Sequence, residues 1–248
     1  VLACIDHSPF TDHVADYAIW AAKRLDAPLK FLHVITPHSE IGSGDDHSGA
    51  IGINSRETLL HKLSEEDAAQ ARTAHEKGRA ALNRLRERAI AAGVESPDMK
   101  QRHGDLEETL LAQESEVELF VWGRRGESSQ VTHQKLGGNV ERLVRALHKP
   151  ILSVTEGYSE PTRVLFAYDG SKLARRGIEM VAASPLLRNL PITVLMAGKG
   201  DKDNQKQLEW AQGKLQAAGL NATPLLAPGE PRQLVIETIE KQHCDLLI

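Results

Sequence analysis

The chain has 248 residues, 41% of them hydrophobic, which is enough for one large or two small domains with buried cores. A net charge of −4 and 4% aromatics argue against a dedicated nucleic-acid surface or a polybasic membrane anchor, and no apolar run approaches the roughly 20 residues needed to span a bilayer. Two cysteines, Cys4 and Cys244, cannot make a disulfide scaffold, and the expected compartment is the cytoplasm.

In chain order, 1–5 reads as a buried strand and 12–25 as a helix, with Val14, Tyr17, Ala18, Ala21 and Leu25 on one face. A second strand covers 29–35. The polar stretch 37–63, with its Gly42–Gly49 run, reads as a loop. A long helix is expected over 64–92, opened by Ser64 with Asp67 three residues on and stopped by Gly93. Next come a strand at 98–102, a helix at 105–113 and a strand at 118–122. A Gly-, Ser- and charge-rich loop over 123–136 leads to a helix at 139–148 and a strand at 150–154. This alternation predicts a parallel sheet with helices on both faces.

The residues 156–161 look like a linker, after which the pattern restarts. Strands are expected at 164–167, 192–196, 222–226 and 244–248, with helices at 171–183, 203–218 and 231–242. The halves match in landmarks. Asp6 answers Asp169 at an offset of 163, Gly93 answers Gly219 at 126, Gly104 answers Gly229 at 125 and Leu119 answers Leu246 at 127. Such a series points to an internal repeat whose first copy carries an insertion of about 37 residues after its second strand. The expected domains are 1–155 and 162–248. On this match the second copy stops at its fourth strand, and the parent chain is expected to be longer by at least about 30 residues.

The chemistry concentrates at Gly123-Arg124-Arg125-Gly126, followed by ten residues and then Gly137-Gly138-Asn139. Glycines after a strand let backbone N–H groups approach a phosphate, and a helix N-terminus adds unpaired donors. From Gly123 to Lys149 six Lys or Arg face two acids. An anion, of which phosphate is the leading candidate, fits this stretch; a solvated loop whose glycines only turn the chain fits it too. No P-loop, no G-x-G-x-x-G after the first strand and no G-x-S-x-G elbow is found. Asp6 and Asp169 close their strands, where an acid can meet a ribose or adenine edge or else cap the next helix. His33, His103 and His133, and the Asp45-Asp46-His47 run, lack recognised metal-ligand spacing and read as ordinary histidines, with no metal site expected.

The series Ile5-Asp6-His7-Ser8, Leu32-His33-Val34-Ile35, His103-Gly104-Asp105, Trp122-Gly123-Arg124-Arg125-Gly126 and Leu136-Gly137-Gly138-Asn139-Val140 resembles the tandem universal stress proteins. The resemblance implies two doubly wound α/β domains of the adenine nucleotide alpha-hydrolase-like, Rossmann-like kind. It implies an adenine nucleotide such as ATP or AMP in the first, with Asp6 at the ribose or base and the Val34 backbone at adenine. Gly123, Arg125, Gly126, Gly137, Gly138 and Asn139 would surround the phosphates. The family's G-x2-G-x9-G-[ST] has ten residues instead of nine here, and Gly138 stands for the Ser or Thr. In the second copy only Asp169 and Met196 match the adenosine side. The resemblance further implies pairing of such domains through the closing strand 150–154, as an intrachain pseudo-dimer or a homodimer. No nucleophile–base pair stands out, so no catalytic residue is expected and any ATP hydrolysis should be slow. The rival readings are a scaffold that binds no nucleotide, a small-molecule or lipid carrier using a cavity in the second domain, and an ATP-consuming enzyme.

Overall fold

The computed structural model describes residues 1–35, 55–124, 138–155 and 157–248, with side chains for the same residues apart from 55–71, 74, 138 and 139. The chain forms two compact units, Val1–Ala22 with Ala27–Tyr158 and Lys23–Asp26 with Ser159–Ile248.

The first unit runs β1 (Leu2–Ile5), α1 (Thr11–Leu25), β2 (Lys30–Ile35), α2 (Ser55–Ala91), β3 (Asp98–His103), α3 (Leu106–Leu111), β4 (Phe120–Gly123), α4 (Gly138–Ala146) and β5 (Ile151–Val154). All strands are parallel, in the order β3-β2-β1-β4-β5. Successive side chains of a strand point to opposite faces. Leu2, Leu32, Phe120 and Trp122 therefore join Leu110 of α3 and Val140, Leu143 and Leu147 of α4 in one core. Buried residues of α1 (Val14, Ala15, Ala18) and α2 (Leu82, Leu85, Ala89) supply the helical cover on which Ala3, Ile5 and Phe31 rely. Chain reversal between β1 and β4 is the topological switch of open α/β sheets, where ligands meet the carboxyl ends of strands.

The expected long helix is longer than the sequence pattern implied. Helix α2 has 37 residues and starts at Ser55, so 55–63, expected as loop, is helical. Ser64 lies inside the helix and does not begin it. The reason is local: 55–63 holds no Gly or Pro and is rich in Glu, Leu, Lys and Arg, so nothing there stops a helix. Gly123, expected as the first loop residue, closes β4 opposite Val154.

The second unit runs β6 (Val164–Ala167), α5 (Lys172–Ala183), β7 (Pro191–Ala197), α6 (Lys202–Ala217), β8 (Asn221–Ala227), α7 (Pro231–Gln242) and β9 (Leu246–Leu247). Its parallel sheet has the order β8-β7-β6-β9, the first sheet's order through four strands. The registers repeat too. Leu2↔Lys30 returns as Leu165↔Thr193, Lys30↔Asp98 as Thr193↔Thr223 and Leu2↔Phe120 as Leu165↔Leu247. These pairs carry the offsets 163, 125 and 127 read from the sequence landmarks.

The landmarks recur because each solves the same backbone problem. Gly104 (φ +133°) and Gly229 (φ +152°) occupy conformations that side chains rarely adopt, just before a helix start. The next residue caps that helix in each copy: Asp105 accepts from the Glu108 N–H at 3.1 Å and Glu230 from the Gln233 N–H at 2.8 Å. In the second unit Asp245 ties the entry of β6 to β9. Its carboxylate accepts from the N–H of Thr162 (2.8 Å), the Thr162 hydroxyl (2.6 Å) and the N–H of Arg163 (2.9 Å). Burial alone would raise its pKa, but these hydrogen bonds outweigh burial and hold it below the ordinary aspartate value. A carboxylate depressed on folding stabilises above the unfolded pKa and loses that contribution as pH falls through the folded one. Asp245→Asn should accordingly cost about 1 kcal/mol near neutral pH, since exposure keeps the loss small, and the deficit should vanish in acid. Urea titrations of both proteins near pH 7 and in acid check this.

Candidate functional site

The carboxyl end of the first sheet gathers Asp6, Val34 and Gly123, three of the residues singled out in the sequence. Asp6 follows β1. Its Oδ1 accepts from the Ser8 N–H at 2.9 Å, and its carbonyl accepts from the Thr11 hydroxyl at 2.6 Å. The second copy repeats the turn: Asp169 Oδ1 accepts from the Ser171 N–H at 2.9 Å, and the Ser171 hydroxyl caps α5 through the Ala174 N–H at 3.1 Å. Hydrogen bonds, first from the Ser171 side chain and then from its N–H, hold the Asp169 carboxyl below the ordinary aspartate range. At both positions the aspartate shapes the strand-to-helix turn, the local role that the spacing had left open.

Val34 owes its position to strand parity. The Asp98 N–H donates to the Leu29 carbonyl and the Gly104 N–H to the Ile35 carbonyl, so odd-numbered backbone groups of β2 address β3. Lys30 donates to the Val1 carbonyl, so even-numbered groups address β1. The last paired residue of β1 is Ile5, opposite His33. The Ile5↔His33 rung engages the Val34 N–H with the Ile5 carbonyl, so it is the Val34 carbonyl that faces the side where β1 has ended. In the second unit the Tyr168 N–H donates to the Leu195 carbonyl, so parity and the offset of 163 put Ala197 in this place. Met196 stands level with His33 instead, and its side chain is buried. The sequence comparison missed Ala197 although the offset already pointed to it.

Helix α4 begins at Gly138, with Asn139 in its first turn. Arg125, Gly126 and Gly137 lie outside the described residues, as do His133, Lys135 and the Gly42–Gly49 run. Two of the bases counted near the glycines are engaged with acids. Arg142 pairs with Glu107 at 2.8 Å and Asp105 at 3.1 Å, and Arg145 with Glu141 at 2.7 Å. The Asp105 carboxyl is held low first by the Glu108 N–H and then by Arg142. The formal charge of this stretch therefore overstates the cation available to a ligand. The indole N–H of Trp122, one residue before Gly123, is buried with no acceptor among the described residues. Cys4 lies on β1, two residues before Asp6. Burial, with the Asp6 charge beside it, pushes its thiol up to about 12, so it is an inert core group.

Sequence reasoning also missed a polar patch on the α2 side. His33 Nδ1 lies 3.2 Å from Gln101 Nε2, which donates to the His75 carbonyl at 3.3 Å. The rings of His7 and His33 meet edge to face at 5.0 Å. The one signal for this patch was Gly78, a glycine inside a long helix, which commonly has a packing reason. Among the described residues no group of three or more His, Cys, Asp or Glu is placed to hold a metal ion, and no helix is long and apolar enough to cross a membrane.

Fold and site together define an open, parallel-sheet α/β protein, built as two copies of one topology, with the strand switch of the first between β1 and β4. The universal stress protein family profile matches residues 1–155, and the chain belongs to that family. The universal stress protein Slr1230 of Synechocystis sp. is 30% identical over 251 residues, covering 100% of this chain and 88% of that one. A universal stress protein of Archaeoglobus fulgidus shares the fold at a TM-score of 0.68 and 17% identity, over 99% of this chain and 85% of that one. Another universal stress protein, solved in complex with cAMP, is 20% identical over 62% of this chain and 94% of its own, at a TM-score of 0.39.

Proposed function

We propose that the chain is a cytoplasmic stress-response protein that binds an adenine nucleotide, ATP or AMP, at the carboxyl end of its first sheet as a regulatory ligand. The observation that carries this reading is the Val34 carbonyl, which faces the open side beyond the last rung of β1 and can accept from the adenine amino group. Asp6, at the end of β1, stands at the ribose or base. The start of α4 at Gly138 and Asn139, with Gly123, Arg125, Gly126 and Gly137, takes the phosphates. The buried Trp122 donor beside Gly123 is consistent with a ligand or loop acceptor arriving there. The domains are taken as 1–155 and 162–248, joined by 156–161, and Asp169 marks a second site, with Ala197 rather than the expected Met196 at its adenine edge. Association of such domains through the edge strand β5 belongs to the same proposal, with light scattering as its measurement. The nucleotide acts by biasing conformation or partner binding, and turnover is slow or nil.

The test is calorimetric titration with ATP. The wild-type chain should bind, and Gly138→Ser, which restores the hydroxyl of the family motif, should bind about two- to tenfold tighter, the worth of one net hydrogen bond. No binding at millimolar ATP by either protein overturns the reading. It would favour a scaffold that takes no nucleotide, for which the saturated ion pairs of Arg142 and Arg145 already speak.

A further inference from the structure

Helix α2 meets the sheet in two different ways. Toward its end, Leu82, Leu85 and Ala89 are buried, and Arg84 and Arg88 pair with Asp12 and Asp16 of α1 at 2.7 and 2.6 Å. Around Gly78 the contact is polar. The Gln101 amide nitrogen of β3 stands between Nδ1 of the buried His33 and the carbonyl of His75 on α2. An NH2 group can donate to Nδ1 only while that nitrogen carries no proton. His75 and His103 stack with ring centroids 6.3 Å apart.

We propose that His33, Gln101 and His75 form a proton-operated latch that holds the middle of α2 on β2 and β3 while His33 is neutral and lets go when His33 is protonated. The proton turns Nδ1 into a donor facing a donor. Gln101 can present its Oε1 to His33 only by withdrawing Nε2 from the His75 carbonyl, so at least one of the two bonds is lost. Gly78 gives the helix no slack to absorb the change: an ideal Cβ there would lie 2.2 Å from Gln101 Nε2 and 2.5 Å from His33 Nδ1.

The groups facing His33 are Asp6 and His7 after β1, Gln101 and His103 on β3, and His75 on α2 through the amide. Burial first, then His7 and His103, push the His33 pKa below the ordinary histidine value, and Asp6 pulls the other way. A histidine depressed in the closed state binds its proton more readily once the helix has opened. The latch is therefore at full strength above about pH 6.5 and weakens as pH falls through the closed-state value. This inference does not depend on nucleotide binding.

Hydrogen exchange read by mass spectrometry on the full chain tests it. Between about pH 7.5 and about pH 5, corrected for intrinsic rates, protection of residues 72–80 should fall about tenfold for each pH unit separating the open and closed pKa values of His33, while 84–91 holds. His33→Gln should remove the pH dependence. Should that variant fail to fold, Gln101→Leu gives a second reading, because it removes the Nε2 donor from both partners and should likewise abolish the pH dependence of protection over 72–80. Acid loss of protection spread evenly over α1 and α2, or unchanged in a folded His33→Gln or in Gln101→Leu, overturns the latch.

Discussion

Replacing Phe120 with alanine should destabilise the first unit by about 3–5 kcal/mol, the range for removing a large buried aromatic ring. Phe120 is fully buried and lies at the centre of the core shared by the sheet, α3 and α4. With Val121 it is also one of two residues through which β4 is registered on both sides, Phe120 lying opposite Leu2 of β1 and Ile151 of β5. The cavity left by truncation would be bounded by backbone held in two ladders, so the surroundings can collapse only in part. Because β4 leads into Gly123, the same substitution should weaken any ligand held at the strand ends. Urea unfolding followed by the fluorescence of Trp20 and Trp122 measures the first effect. A shift worth less than about 1 kcal/mol would show that the core repacks and that Phe120 is not its keystone.

Gly78→Val should cost about 2–3 kcal/mol by overpacking. The direction is informative because helix propensity alone predicts the opposite: Gly is about 1 kcal/mol worse than Ala inside a helix, and Val is also better than Gly. The clash decides the sign. His33 is buried and cannot swing away, and its Nδ1 and Cε1 would lie 2.5 and 2.8 Å from the new Cβ. Gln101 is the more flexible of the two neighbours. Gln101→Ala in the Gly78→Val background should therefore return part of the loss, and a double-mutant cycle from thermal unfolding gives the coupling. A stabilised Gly78→Val would mean that α2 does not pack closely at this point.

Legibility differed from place to place along the chain. Strands and helices of the second unit were readable because short apolar runs separate amphipathic ones, and each boundary carries a Gly, Pro or capping residue. Helix α2 was underread by nine residues, since Ser64 looked like a cap and only the uninterrupted run of helix formers before it said otherwise. Charge counting around the glycines misled for a different reason. Arg142 and Arg145 are basic in any composition, but Asp105 and Glu107 reach Arg142 from another helix some 35 residues away in sequence, and no local pattern announces that pairing. Met196 entered the second site through the family resemblance, as the match to the adenosine side. Strand parity, which needs the ladder, shifts the equivalent position to Ala197.

The sequence by itself determined the repeat, the parallel α/β class and the positions of the two strand-end aspartates. These follow from periodicity and from turn chemistry that acts over a few residues, such as Gly104 and Asp105 starting α3. Only the tertiary structure decided which backbone groups are left beyond the last strand rung, which arginines are already paired, and that His33, Gln101 and His75 share one hydrogen-bonded contact. Those facts depend on register and on helices brought against the sheet from far along the chain, and neither is written in the spacing of neighbouring residues.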